Sequence, residues 1–375
     1  MPLPTQSNAR DLKPEILRNE IVENVDQMER VEAGGDERFA SAMSVFPLVN
    51  LDDPDEAWYT MDGVRGPMSA TAYGAESPLG TLDMPSKDGV EIQSYKKKYR
   101  PDKGAETEFD DTPYSLYRRA AAVLRTEIFL TREMLTWQGD DEIDGLQGSD
   151  GKSPHDDIPS DHLITPSAAW SDSANAQPYD ELTNGAFEVI NNGRFVGDQA
   201  LPYIYGSPSA IRDMKQTEDM EGRIQNVQIK SVGDEDVERL IDDEIAGLRK
   251  VMVYLPRTNA NGEFIDESGT VVDDPDDAAH DNVLEPYDPA TDSTTRNVII
   301  GRPGAGSAFI PWFGDRLLER ATNAPDPGNI SVDSQNGFFT QVWNDNDPIQ
   351  PNFKAAQELG FKLMRGENWA MITDV

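Results

Sequence analysis

The stretch from Asp111 to Gly139 constrains this chain most, because it is the one place where a long helix is written without interruption. Thr112 is placed to cap the first turn: its hydroxyl can accept from a backbone N–H that has no partner inside the helix. Pro113 suits the first helical position, where no donor is needed. Gly139 supplies the stop. Between them Tyr117, Ala121, Leu124, Ile128 and Leu135 recur at helical spacing, and Val123, Leu130, Met134 and Trp137 form a second apolar row beside them. Two faces of this rod therefore want neighbours. Arg118, Arg125 and Arg132 recur every seventh residue and make a third stripe. At a rise of 1.5 Å per residue the rod is about 39 Å long, which is long for a globular core.

The sequence before the helix offers little to pack against it as a separate body. Ile16, Leu17, Ile21, Val25 and Met28 predict an amphipathic helix between Lys13 and Val31, broken at Gly34 and Gly35. A short helix or extended run follows in FASAMSVFPLVNL, interrupted at Pro47. From Asp52 to Asp110 glycine and proline recur among aromatics and β-formers. This composition predicts an extended two-stranded arm, and a lone hairpin is marginal in water, so the arm should lie on something else. Gly89 to Arg100 alternates as a strand, with Val90, Ile92 and Tyr95 on one side. Its end carries Lys96, Lys97, Lys98 and Arg100, the one basic cluster in an acidic sequence. Two readings stand for it: a solvated strand end, or a contact with the acidic surface of another copy.

After the helix comes an acidic, glycine-rich loop in which Asp140, Glu142, Asp144 and Gly145 imitate the start of a calcium loop. The twelfth position is Gly151, where a bidentate glutamate is required, so a solvated loop is the plainer reading of these candidate ligands. Helices are expected around Pro178 to Asn191, in SPSAIRDMK and in DEDVERLIDDEIAGL, alternating with strands at Leu201 to Tyr205 and Lys250 to Leu255. That alternation predicts a compact α/β or α+β domain from about Asp172 onward. Arg257 to Arg296 is rich in Asn, Asp, Gly and Pro and reads as an exposed insertion with a hairpin across Asp266 to Gly269. NVIIG, SAFIPWFG, GFFTQVWND, FKAAQELGFKLMR and NWAMITDV then return to strands, with a tight turn from Arg365 to Asn368.

Charge narrows the function classes. Sixty-nine acids against 33 bases give a formal charge of -36, spread along the chain. Such a surface resists nucleic acid and anionic membranes at ordinary salt. It suits molar salt, where the screening length is about 3 Å, and implies a high-salt host. The absence of cysteine excludes disulfides, thiolate zinc sites and cysteine nucleophiles. His155, His162 and His280 fall in acidic loops with no HExxH spacing, and no G-x-S-x-G occurs. Gly301 to Ser307 follows a strand like a phosphate loop, but Ser307 stands where the lysine belongs and Pro303 removes a backbone donor. No cofactor is called for, with structural cations left open. The first residues hold no apolar core of a signal peptide and no later run reaches spanning length, so the expectation is a cytoplasmic chain without a membrane partner.

An amphipathic start, a glycine- and proline-punctuated arm, one long helix, a mixed domain and closing strands make poor sense for an enzyme. They suit a subunit that shares its core with neighbours. FDDTPYSLYRRAAAVLRTEIFLTREMLTW, with its acid-and-proline entry and its late Arg132-Glu133, resembles the spine of the major capsid proteins of tailed double-stranded DNA viruses, which have the Hong Kong 97-type fold. AAWSDSANAQPYDEL, LPYIYGSPSAIRDM and GENWAMITDV look like that family's passage into the axial domain and its closing strand. The resemblance implies an α+β fold: N-terminal arm 1–55, extended β-hairpin loop 56–110, spine helix and peripheral domain 111–171, axial domain 172–345 with the acidic insertion 257–296, and C-terminal strands 346–375.

It further implies a non-enzymatic, self-assembling shell of hexamers and pentamers in a virion, built in the host cytoplasm. The shell would enclose double-stranded DNA without sequence-specific contact; portal, scaffold, protease or decoration proteins are the further partners it allows. Combined with the acid excess, it implies a haloarchaeal tailed virus. Lys96, Lys97, Lys98, Arg100, Arg118, Arg125 and Arg132 are then candidates for contacts between subunits, the spine arginines meeting either acids of the arm or packaged DNA. An encapsulin-like nanocompartment shell, a soluble halophilic enzyme and a tail protein are the alternatives.

Overall fold

The long helix runs Pro113–Trp137, within a residue of the predicted span. Gly139 ends it at φ +79°, and any Cβ there would lie 2.3 Å from the backbone N of Gly145, so the turn requires glycine. The structure is a computed structural model and describes residues 17–19, 21, 39–51, 58–60, 86–88, 91–100, 113–192, 202–225, 234–304, 307–313, 329–333, 336–346 and 349–375. The proposed cap at Thr112 lies outside these residues, as does most of the predicted helix 13–31, of which 17–19 and 21 are helical.

One face of the long helix lies on a sheet assembled from both ends of the chain. Asn329–Asp333, Phe338–Asn346, Ile349–Leu359 and Gln93–Tyr99 stand side by side in that order, each pair antiparallel. Ala120, Ala121, Leu124 and Ile128 of the helix meet Phe338, Val342, Phe353 and Ala355, and Leu17 and Ile21 enter the same cluster. The alternation of FFTQVWNDN puts Phe338 and Val342 toward the helix and Phe339 on the opposite side with Ala356. Trp58–Thr60 and Ser86–Asp88 pair as a separate antiparallel ribbon.

A second, mixed sheet of six strands has the order Phe39–Ala40, Gly247–Val251, Tyr203–Gly206, Asn297–Gly301, Trp369–Thr373 and Leu163–Ile164. Every residue of the Asn297–Gly301 strand is buried, which fits an apolar run covered on both faces. Helices Pro178–Asn192, Pro208–Lys215, Glu218–Gln225 and Asp234–Glu244 bury their apolar stripes against this sheet, in a core that includes Leu182, Val189, Ile211 and Ile241. The two sheets meet at the end of the long helix. There Phe46 lies edge-on to Trp137 at 5.5 Å and stacks on Trp369 at 5.4 Å, and Trp137 lies 5.6 Å from Tyr205. Such ring pairs add about 0.5–1.5 kcal/mol each beyond their buried area.

Three expectations need correction. The strand predicted at Lys250 to Leu255 is two, Gly247–Val251 and Tyr254–Pro256. They part where Met252 turns outward, 47 % exposed, while Val253 is buried and its carbonyl accepts from the Val283 N–H. The strand expected from Leu201 begins at Tyr203. The insertion 257–296 is only partly exposed: its hairpin closes through the Gly269 N–H to the Asp266 carbonyl, but Val283 and Leu284 are fully buried in the main core. Asn282 fixes them there by donating to the Val251 carbonyl at 2.7 Å. A two-residue apolar anchor inside an acidic run carries too little periodicity to be read beforehand.

Candidate functional site

The basic cluster sits on the Gln93–Tyr99 strand, and pairing with Ile349–Leu359 fixes where each lysine goes. Lys96 stands opposite Ala356, Lys97 opposite Ala355 and Lys98 opposite Lys354. Successive side chains point to opposite faces, so the run of three divides. Tyr95, Lys97 and Tyr99 face the long helix. The Tyr95 hydroxyl donates to the Asp140 carboxylate; burial first, and that carboxylate second, push the phenol well above its usual range. Lys97 pairs with Glu127 of the helix at 3.2 Å, both side chains largely exposed, and such pairs contribute roughly 0–1 kcal/mol.

Lys96 and Lys98 turn to the other face and are joined there by Lys354. The Lys98 ammonium lies 4.9 Å above the Trp343 ring and that of Lys354 lies 5.6 Å from the Phe339 ring. Burial and then the neighbouring Lys96 hold the Lys354 ammonium below its ordinary range. Among the described residues no carboxylate comes within ion-pair distance of Lys96, Lys98 or Lys354. Like charges directly opposite on neighbouring strands destabilise a sheet, so the chain carries a self-repelling cationic face although it has twice as many acids as bases. Arg100 lies at the end of the strand and donates from Nε to the Asn352 side-chain oxygen at 3.1 Å.

The spine arginines are not one stripe. Arg132 is buried, 2 % exposed. Its Nε donates to Gln357 Oε1 at 3.0 Å, another guanidinium nitrogen donates to the Asn336 carbonyl, and a third lies 3.6 Å from Met43 Sδ. Gln357 in turn donates to the Ile128 carbonyl at 3.3 Å. Arg132 is thus an internal strut joining helix, sheet and the N-terminal segment at Met43, and its burial corrects its reading as a residue facing packaged DNA. Arg125 is half-buried, with its Nε enclosed and unbonded. The side chain of Arg118 lies outside the described residues.

Glu133, next to Arg132, is fully buried and takes a different pair of partners. Its Oε1 accepts from the Ala42 N–H at 2.7 Å and its Oε2 from Trp137 Nε1 at 2.8 Å. It thereby closes the first turn of the Ala42–Val45 helix onto the spine. Glu181 repeats the device on the helix Pro178–Asn192, accepting from Trp170 Nε1 at 2.8 Å and from the Ser167 N–H at 3.1 Å. Neither role was legible, since nothing adjacent in sequence marks a glutamate as an indole acceptor.

The calcium-like loop does not form a cation cage. Asp140 Oδ1 accepts from the backbone N–H groups of Glu142 and Ile143 at 2.9 and 2.7 Å, and Asp144 Oδ1 accepts from Ser149 N at 3.1 Å. These are local turn bonds. The carboxylates of Asp140, Glu142 and Asp144 do not converge, and the set of metal-ligating groups that does converge among the described residues lies elsewhere, at Asp161, His162 and Glu188. Asp140, Asp141, Asp150 and Asp281 instead border an open groove of about 1240 Å³ between the long helix and the 254–289 region. Lys97, Arg125 and Arg257 line the same groove, with Lys97 paired to Glu127 and Arg257 to Asp281, and acids remain in excess there.

No family model matches the sequence, and no curated protein matches it at the level of sequence. Solved structures do. A phage-related protein of Bordetella bronchiseptica superposes with a TM-score of 0.51 at 10 % identity, over 89 % of this chain and 91 % of its own. A cyanophage capsid gives 0.46 at 10 % identity, over 89 % and 88 %, and the encapsulin complex of Synechococcus elongatus gives 0.44 at 8 %, over 88 % and 85 %. The fold is α+β, of the Hong Kong 97 type.

Proposed function

We propose that this chain is a shell-forming major capsid protein, whose copies associate as hexamers and pentamers into an icosahedral virion shell around double-stranded DNA, assembled in the host cytoplasm. The observation that carries the reading is the cationic face of Lys96, Lys98 and Lys354, left without an acid among the described residues of a chain of charge -36 that has a Hong Kong 97-type fold. Fold alone does not give function; a like-charged cross-strand patch that weakens the monomer needs a second reason to exist. Acids of a neighbouring copy supply one. Because the cationic face and the acid-rich groove lie on different parts of one molecule, their contact is head-to-tail, the arrangement that closes rings and shells.

In this reading 1–55 and 56–110 are the arm and extended loop, 111–171 with the last strands the peripheral domain, and 172–345 the axial domain. The strand Gln93–Tyr99 belongs to its own chain's sheet, so the part of the loop that reaches a neighbour lies before it. The acid excess supports a host living in high salt. No helix among the described residues is long and apolar enough to cross a membrane.

Electron microscopy of the purified protein in molar salt, with mass determination on the same sample, tests assembly. Closed angular shells or capsomer rings are the expected result, and their diameter separates a virion from a nanocompartment. A monodisperse 41.5 kDa species under every salt and crowding condition overturns the reading. The lysine contact has its own test. Lys96→Glu with Lys98→Glu should leave a folded chain, with unchanged circular dichroism, that no longer closes shells, whereas Lys97→Glu should assemble normally because Lys97 faces Glu127 within the chain. Normal particles from the double variant would remove the lysine face from the mechanism.

A further inference from the structure

We infer that His162, Glu188 and Asp161 form a binding site for one borderline divalent cation of the zinc, cobalt or nickel class. His162 ends the short turn Ser160–His162 and is 1 % exposed. Its Nδ1 lies 2.8 Å from the carbonyl oxygen of Trp369. A carbonyl only accepts, so Nδ1 carries the proton and Nε2 of the neutral ring is the ligand atom. This is the arrangement in which metal-ligating histidines are held: a partner behind the ring fixes tautomer and orientation. That partner comes from a strand distant in sequence and is no member of the ligand cluster.

Ligand atoms of His162, Asp161 and Glu188 lie within 4.8 Å of one another. Two ligands on one zinc ion, each about 2.0–2.2 Å away, stand about 3–4 Å apart, so small rotations of the two carboxylates complete the set. The scaffold is firm where it must be. Leu163–Ile164, directly after His162, pairs in parallel with Met371 and Ile372 of the strand that supplies the Trp369 carbonyl. Glu188 projects from helix Pro178–Asn192, which packs on the same strand. Asp161 is exposed and Glu188 half-buried, which gives an ion a way in.

One imidazole and two carboxylates carry a formal charge of minus two, matching a divalent ion. A nitrogen ligand favours zinc, cobalt or nickel over magnesium, calcium and manganese, which suit oxygen sets. Three protein ligands leave room for water. Bound there, an ion ties the helix to the outer strand of the six-stranded sheet.

The rival is a set closed on itself, with the three side chains meeting one another and no ion between them. The full-length chain, stripped with a chelator and titrated in molar NaCl with CoCl2 and then ZnCl2, separates the two. Expected are visible cobalt bands that saturate at one ion per chain and vanish when zinc is added. His162→Gln and Glu188→Gln should each weaken zinc binding at least about tenfold by calorimetry, the lower end of what disturbing a ligand shell costs. Glu188→Gln keeps the test valid if His162→Gln does not fold, with circular dichroism as the check. Binding that does not saturate at one equivalent, or that is unchanged in the folded variants, overturns the site. Monomer and assembled shell serve equally well, so the outcome is independent of the assembly reading.

Discussion

Glu133→Ala is expected to destabilise the protein by about 2–6 kcal/mol. The carboxylate is fully buried and is the acceptor for two donors, the Trp137 indole and the Ala42 backbone. Removing it leaves both N–H groups without that acceptor in the interior, on the order of 1–3 kcal/mol each. The loss falls at the junction where Phe46 and Trp137 pack against Tyr205 and Trp369 of the six-stranded sheet. It should therefore loosen the N-terminal segment and the sheet contact in one event. Glu133→Gln keeps one carbonyl oxygen as acceptor and should cost clearly less. Glu142→Ala, at an exposed position, is the control and should lie within about 0.5 kcal/mol of the parent. Denaturant unfolding in molar salt, followed by tryptophan fluorescence, measures all three. If Glu133→Ala unfolds with the control, the clamp has no energetic weight and the junction rests on ring packing alone.

Glu133 also marks the limit of what sequence could yield. The helix Pro113–Trp137 was legible because its spacing, its first-turn proline and its terminal glycine are local signals, and the closing strands were legible through their alternation. Spacing says which side chains share a face but not which face a distant segment will cover. Arg118, Arg125 and Arg132 looked alike for that reason, yet Gln357, 225 residues away, takes Arg132 inside. The same logic divided the lysines: the cluster was plain, whereas the separation of Lys97 from Lys96 and Lys98 needed the pairing with Ile349–Leu359. His162 looked like one more polar loop residue because its partner, Trp369, lies 207 residues on. The calcium-like run was legible as a plain loop from Gly151 at its twelfth position, and Asp140 and Asp144 in it accept from backbone N–H groups only a few residues away.

Lowering the salt should unfold this protein. Two surface acids about 10 Å apart repel by about 0.4 kcal/mol in unscreened water. A Debye length of about 10 Å at 0.1 M leaves roughly a third of that, and one of about 3 Å at 1 M leaves almost none. With 69 acids and 33 bases, dozens of such pairs make the difference several kcal/mol, comparable to the roughly 5–15 kcal/mol that holds a folded chain together. Thermal melting by circular dichroism should rise steeply between 0.1 and 2 M NaCl. Neutralising the exposed Glu267, Asp273, Asp276 and Asp277 to amides should lower the salt required. Sucrose, which favours compact states without screening charge, should not replace salt; full rescue by sucrose, or a melting temperature indifferent to NaCl, would sink the screening account. The proposed contact between Lys96, Lys98 and a neighbour's acids should respond in the opposite sense, because screening weakens attraction as it weakens repulsion. Folding that strengthens with salt and a contact that weakens with it together require an intermediate salt concentration at which shells form best. Lys96→Glu with Lys98→Glu should abolish that optimum while leaving the melting curve's dependence on salt in place.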